Sequence, residues 1–369
     1  MKICILANAL SVHTQRWAKA FAEQGHDVHL VSIRYVELEG VKVHTVNIGR
    51  PNSNSVILTF LSYFYLLLTS RKVLRELQPD VVISYYTITY GVIAAFAGCH
   101  PSIAAIMGDD VIFCTSRLAT AMKRILNKYV LKRADLICST SRFMIKNTIE
   151  LRPQNVPIEH IPFGVNCNLF CQMPHLKNNE TDKCIRLGFV KTLLPKYAPD
   201  ILLSAMPKIC EQIPDVHLTI AGRGPMDEQL KNMAKELGIA DKVEFTGFVA
   251  NEKLPELFNY FDIFVHPSIW DSETFGVVVV EASACGCPVV ATRVGGVPEV
   301  CIDSQTGILV EPNNPDALAE SIIKLAKNPQ LRHNMGKAGR DFVVNNYDWN
   351  KNVQSMLQVM KNTILEYKK

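Results

Sequence analysis

At 369 residues the chain is longer than one ordinary hydrophobic core, which points to two domains. Its 48% hydrophobic and 20% charged residues are ordinary for a soluble globular protein. A net charge of +4, with no dense Lys/Arg stripe among aromatics, gives no case for nucleic acid and suits anionic small ligands or an anionic membrane surface.

From the N-terminus, KICILA reads as a buried strand and HTQRWAKAFAEQ as a helix stopped by Gly25. DVHLVS and VKVHTV read as further strands. The apolar run VILTFLSYFYLLL, Val56 to Leu68, then precedes TSRKVLREL. That run is shorter than the ~20 apolar residues of a membrane span. It suits a helix packed in the core, or an aromatic-rich helix touching a membrane with Arg71, Lys72 and Arg75 at lipid headgroups. DVVIS, SIAAIM, DLICS and IEHIP complete a first series of strands.

The polar stretch CQMPHLKNNETDK is the predicted linker, and the strand register restarts after it. CIRLGFV, DVHLTIAG, KVEFTG, DIFVHPS, CPVVAT and GILV alternate with helical patterns. Continuous Val/Ile runs suit strands buried on both faces of a parallel sheet, and their alternation with helices implies doubly wound α/β domains. The expected organisation is a Rossmann-like domain over 1–170, a linker over 171–184 and a second Rossmann-like domain over 185–348. A C-terminal helix over 349–369 is expected to cross back to the first domain.

Eleven cysteines lie scattered without CxxC pairs. Cys4, Cys138, Cys285 and Cys287 sit in apolar runs, which suits buried reduced thiols and a reducing compartment. MKICILANAL is too short an apolar run for a signal peptide, so the expected location is cytoplasmic, peripheral to the inner face of a membrane if the apolar helix touches lipid.

In open parallel sheets ligands bind beyond the carboxyl ends of strands. Such a place is marked by SETFGVVVVEASACGCPVV, where Glu273 precedes a predicted helix start at Gly276 and Glu281 lies over a turn inside it. An ionised carboxylate in an apolar helix is costly unless something binds it. The N–H groups of Phe275, Gly276 and Val277 suit an anion or a hydroxyl-rich ligand. A carboxylate there can accept both hydroxyls of a ribose diol, and one at the helix start can hold sugar hydroxyls. On residue type alone, Glu273 equally suits a helix-start charge and Glu281 a salt-bridge partner.

PSIWDSETFGVVVVEASACGCPVVATRVGGVPEV resembles the signature of the GT-B retaining glycosyltransferase family 4: two glutamates eight positions apart, then AxGxPVV, then GGxPE. The resemblance extends through AGRGPMDEQL, EFTGFV and DIFVHPS, and onward to TGILVEPNNPDALAESI and YDW. It implies a GT-B fold whose two domains face a cleft, and a metal-independent transfer of a hexose-type sugar with retained configuration. The donor would be a nucleoside diphosphate sugar, with no cofactor, and the acceptor a glycan or lipid-linked molecule in cell-envelope polysaccharide synthesis. Glu281 would bind the donor ribose, Glu273 with the backbone at Phe275 and Gly276 the sugar, and the main chain near Val277 the diphosphate. Backbone around Val249 would read the base.

Countercharge for the diphosphate falls to Lys191 and Lys196 after the first strand of the second half, where no Asp-x-Asp pair follows a strand. The usual family form there is Gly-Arg, and Phe189 holds the arginine place. Arg223, between glycines with Pro225 at the expected helix start, is a further cleft or phosphate contact. On the acceptor side SVHTQRW sets His13 and Arg16 on a helix. His13 suits an acceptor contact or a buried capping residue, and Arg16 an anionic acceptor or an ion pair. In IMGDDVIF, Asp110, with Asp109 second, suits a group that orients the acceptor hydroxyl or receives its proton, or else a helix cap. The competing readings are a catalytically inactive nucleotide-sugar-binding protein, a nucleotide-sugar epimerase and an inverting transferase. A dinucleotide oxidoreductase is disfavoured, because ILANALSVHTQ lacks Gly-x-Gly-x-x-Gly.

Overall fold

The computed structural model describes residues 1–48, 55–108, 111, 116–173 and 184–368. The chain forms two compact units: Met1–Pro162 with Lys351–Lys369, and Phe163–Asn350.

In the first unit β1 (Lys2–Leu6), α1 (Val12–Glu23), β2 (Asp27–Ser32) and β3 (Val41–Thr45) are followed by α2 (Val56–Leu77), β4 (Val81–Tyr85), α3 (Val92–Ala97) and β5 (Ser102–Ile106). Next come α4 (Arg117–Arg133), β6 (Leu136–Ser139), α5 (Arg142–Ile149) and β7 (Ile158–His160). The seven strands pair in parallel in the order β3-β2-β1-β4-β5-β6-β7. Their residues are buried on both faces in β1, β4 and β5, as their unbroken Val/Ile/Ala runs require. Ser55, Ser116 and Ser141 open α2, α4 and α5 by accepting from backbone N–H groups of the first turn. The apolar run at Val56 extends into a 22-residue helix, because the basic residues after Leu68 are good helix formers.

The second unit contains β8 (Ile185–Val190), α6 (Pro199–Gln212), β9 (Val216–Ala221), α7 (Asp227–Glu236), β10 (Val243–Gly247), α8 (Leu254–Tyr260) and β11 (Ile263–His266). It continues with α9 (Val277–Ala284), β12 (Val289–Thr292), α10 (Val297–Val300), β13 (Gly307–Val310), α11 (Pro315–Ala326) and α12 (Pro329–Asn346). Its six strands are parallel in the order β10-β9-β8-β11-β12-β13. The doubly wound α/β class expected from the strand runs therefore holds in each unit. The chain order reverses between β8 and β11, so the carboxyl ends of these two strands form the unit's switch point.

The last helix, α13 (Trp349–Tyr367), starts in the second unit, and its residues from Lys351 onward belong to the first. There Asn352 Nδ2 donates to Pro162 O at 3.0 Å, Gln354 meets Gln24 at 2.9 Å, and Met356 lies against Cys138. The first crossing falls at 162–163, whereas composition alone suggests 171–184. Second-unit side chains hold the intervening backbone: Asn259 donates to Cys171 O at 2.8 Å and accepts from Met173 N at 2.7 Å, and Arg340 donates to Phe170 O at 3.2 Å.

Candidate functional site

Lys191 is the first residue beyond β8, and His266 is the last residue of β11. The switch point of the second sheet thus carries a lysine and a histidine, and the loop before α9 brings a carboxylate between them. Lys191 Nζ lies 2.9 Å from Glu273 Oε2, and His266 Nε2 lies 3.6 Å from the same oxygen. His266 Nε2 is also 3.1 Å from Ser268 Oγ. The Glu273 side chain is 9% exposed and that of Lys191 17%, so the pair is largely withdrawn from water.

Burial pushes the Glu273 carboxyl up, but the Lys191 ammonium and His266 outweigh it and hold it well below the usual carboxylate range. Burial pulls Lys191 down, while Glu273, Tyr197 and Glu281 together lift it above the ordinary lysine value. Burial lowers His266 more than Glu273 raises it, so the imidazole is neutral at pH 7. Lys191 and Glu273 therefore form a fixed ion pair near neutrality. Tyr197 adds a ring whose centroid lies 4.7 Å from Lys191 Nζ and 5.0 Å from Lys196 Nζ, within reach of a cation–π contact to each.

Close backbone packing sets these loops. Gly222 has φ +147°, and a Cβ there would come 1.9 Å from Lys191 O. Gly295 has φ +51°, and a Cβ there would come 2.2 Å from Glu273 O. The neighbouring Gly296 N donates to Glu273 O at 3.0 Å and Gly295 N to Asp271 Oδ1 at 2.9 Å. The glycine pair of RVGGVPE thus clamps the loop of Glu273, and the first glycine of AGRGP lets β9 close on the loop of Lys191. Ile269 N donates to Lys196 O at 3.0 Å, and the Thr292 hydroxyl donates to Ser268 O, tying the loops to each other and to β12.

Helix α9 begins at Val277 behind Gly276, whose φ is +88° and which supplies no side-chain cap. Its first N–H groups have no intrahelical acceptor, and they open beside Glu273. Phe275 is buried, with its ring edge-on to Phe163 at 5.7 Å and Tyr347 at 5.5 Å, so it offers the site its backbone only. Glu281 is 5% exposed on α9 and lies near enough for its charge to raise Lys191.

The structure thus sets Lys191, with Glu281 near it, against Glu273 just before Gly276 and Val277 at the start of α9, and Lys196 beside the same Tyr197 ring as Lys191. Val249 is half-buried in the loop after β10, and Arg223 is exposed, its guanidinium 3.2 Å from where a Gly247 Cβ would stand. Gly222 N donates to Gly247 O at 2.7 Å, which joins these two loops. Pro225 lies two positions before α7 instead of opening it, inside a turn that Asp227 N closes onto Gly224 O at 3.1 Å. Phe189, near the end of β8, is buried in the core. His13 and Arg16 are half-buried on α1 of the other unit. Asp109 and Asp110 lie outside the described residues. Among the described residues no three His, Cys, Asp or Glu side chains are gathered as a metal site.

Sequence reading overlooked His266, Ser268 and Tyr197. The first two stand in HPS at a strand end, which was the available signal, whereas the approach of Tyr197 to two lysines is set by a loop fold that no local pattern encodes.

Residues 175–342 match the family described as glycosyl transferases group 1, and residues 2–141 match glycosyl transferase 4-like. The chain is 33% identical over 271 residues to the GDP-mannose-dependent alpha-(1-6)-phosphatidylinositol monomannoside mannosyltransferase of Mycolicibacterium smegmatis, covering 70% of this chain and 69% of that one. It is 26% identical over 345 residues to the N-acetyl-alpha-D-glucosaminyl L-malate synthase of Bacillus anthracis, covering 88% and 86%. Among solved structures, sucrose-phosphate synthase from Thermosynechococcus elongatus superposes with a TM-score of 0.83 at 20% identity, covering 99% of this chain and 100% of that one. Anabaena HepE in complex with UDP-glucose gives 0.78 at 19% identity, covering 98% and 100%. Those identities speak for the fold alone, which is GT-B. With the two family matches and the mycobacterial relative, they place the chain among the group 1 glycosyltransferases: it is a GT-B glycosyltransferase of family 4.

Proposed function

We propose that this glycosyltransferase moves a hexose from a nucleoside diphosphate donor to a lipid-linked or glycan acceptor, with retention and without a metal ion. The observation that carries the reading is the buried Lys191–Glu273 pair at the open start of α9. Glu273, held ionised, accepts hydrogen bonds from the donor sugar and offsets positive charge growing on its ring. Glu281 accepts the two ribose hydroxyls. Lys191, Lys196 and the N–H groups at Val277 stabilise the departing diphosphate, so the chain itself supplies the countercharge. The bond from the anomeric carbon to the phosphate oxygen breaks as the bond to the acceptor oxygen forms. The hydroxyl proton leaves to the departing phosphate, with Asp110 as the residue that orients the hydroxyl. Val249 reads the base through its backbone, Arg223 borders the phosphate side, and His13 and Arg16 face the acceptor.

GDP-mannose is the donor to try first, since it is named for relatives at 33% and 34% identity, while UDP-glucose is bound by a structural neighbour. A lipid-linked acceptor accords with work on the cytoplasmic face of a membrane, with α2 in peripheral contact. The test is the melting temperature of wild type and Glu281→Ala with UDP-, GDP- and ADP-hexoses, with and without EDTA. One base class raises the melting temperature regardless of EDTA, and the variant binds about 10- to 100-fold more weakly, as loss of charge-assisted hydrogen bonds to a diol requires. An unshifted wild type with every donor leaves the inactive-scaffold reading in its place.

A further inference from the structure

Helix α2 buries only Ser62, Leu66, Ser70 and Leu74, spaced four apart on one face. Val56, Phe60, Phe64 and Leu68 line the opposite face and are 82%, 72%, 52% and 57% exposed. By length and composition alone this helix passes for a membrane span, yet Leu66 and Leu74 are packed into the unit's core with α3, so it cannot cross a bilayer as folded. Helix α4 repeats the arrangement. Asn127, Val130 and Leu131 are buried, while Leu118, Met122 and Ile125, at i, i+4 and i+7, are exposed.

The two helices belong to one layer. In the parallel register Leu6 pairs with Ser84, Ser84 with Ala104 and Ala104 with Ile137, so these residues point to the same side of the sheet. Leu6 lies in the cluster under α2 and α3, and Ala104 and Ile137 lie in the cluster under α3 and α4. Both apolar stripes therefore face outward from the same side of the first unit. Their charge is predominantly basic: α4 carries Arg117, Lys123, Arg124, Lys128, Lys132 and Arg133 and no acidic residue, and α2 carries Arg71, Lys72 and Arg75 against a single acid, Glu76. Apolar stripes beside a basic flank suit a surface that is apolar below and anionic above.

We propose that α2 and α4 together form a docking surface for an anionic lipid bilayer, with the stripes at the acyl boundary and the basic residues at lipid phosphates. This deepens the reading of a membrane-held acceptor made above and rests on it, adding α4 as a second contact and anionic lipid as the partner.

The test is sedimentation of the full-length protein with vesicles of phosphatidylcholine alone, and of phosphatidylcholine with phosphatidylglycerol in comparable amounts. Wild type binds the mixed vesicles and is released by salt, and binds the neutral ones far more weakly. Met122→Ser with Ile125→Ser, Phe60→Ser with Phe64→Ser, and Lys128→Glu with Lys132→Glu each lower partitioning by roughly tenfold or more at unchanged melting temperature. Equal binding to both vesicle types overturns the proposal, as does an α4 variant that partitions like wild type. So does light scattering that finds a dimer dissolved by these substitutions, since the stripes would then cover a second copy. Donor turnover measured with lipid extract as acceptor source separates the two readings: its absence alongside intact vesicle binding counts against transfer and leaves the docking surface standing.

Discussion

Replacing Lys191 by Met removes the cation from a carboxylate that cannot reach water freely. At 2.9 Å the pair attracts by about 6 kcal/mol at an effective dielectric near 20. Relaxation and entering water offset part of that, and breaking a buried pair from one side typically costs about 3–5 kcal/mol. The pH dependence makes the argument specific. In wild type the depressed Glu273 carboxyl contributes stability that is present above its ordinary value of 4.5 and lost as pH falls toward its folded value. The raised Lys191 contributes below its ordinary 10.5 and loses that contribution as pH rises past its folded value. The wild-type pair is therefore flat between about pH 5 and 10. In Lys191→Met, burial dominates and raises the carboxyl, so the variant is closest to wild type in acid and loses stability as pH rises and the carboxyl must ionise. Urea unfolding at pH 5 and pH 8, fitted with one transition per unit, measures this on the variant, on Glu273→Gln and on the double variant. The double variant is predicted to be more stable than Lys191→Met alone, because no unpaired charge is left. A Lys191→Met loss below about 0.5 kcal/mol, or strict additivity of the two changes, refutes the buried-pair account.

Two further outcomes follow from the same loops. Gly295→Ala forces a methyl group against the Glu273 carbonyl and is expected to cost about 2 kcal/mol or more in the second-unit transition, together with donor turnover, although it removes no group that meets the donor; melting and turnover of the purified variant check it. His266, lowered from 6.5, contributes stability that is present above that value and lost as pH falls below it, because the unfolded chain takes up a proton the buried imidazole refuses. His266→Gln should therefore flatten the slope of second-unit stability between pH 6.5 and 5, which unfolding at stepped pH measures.

Much of the fold was legible because strands buried on both faces of a parallel sheet carry unbroken apolar runs, as β1, β4 and β5 do; the edge strands β3, β7 and β10 are half-exposed and mix polar with apolar residues, yet their runs also lie in strands. Helix α4 was not legible. Its exposed Leu118, Met122 and Ile125 blur the contrast between an inner and an outer face that marks a surface helix. The division of units at 162–163 was hidden because Asn259 and Arg340, far along the chain, hold the backbone that composition presents as linker. In the site, Glu281 stood out as a charge inside an apolar helical stretch and Glu273 as one just before it. Glu273 and Lys191 are 82 positions apart in sequence, in the loops that follow β11 and β8, and only the sheet order brings them together.

The most direct measurement is release of nucleoside diphosphate from GDP-mannose and the UDP- and ADP-hexoses, with lipid extract as acceptor source, by wild type and Glu273→Gln in EDTA. The account predicts sustained release from one donor class without metal, an anomerically retained product by NMR, and a loss of about a hundredfold or more in the variant. Release that stops in EDTA, an inverted product, or undiminished turnover by Glu273→Gln would contradict it.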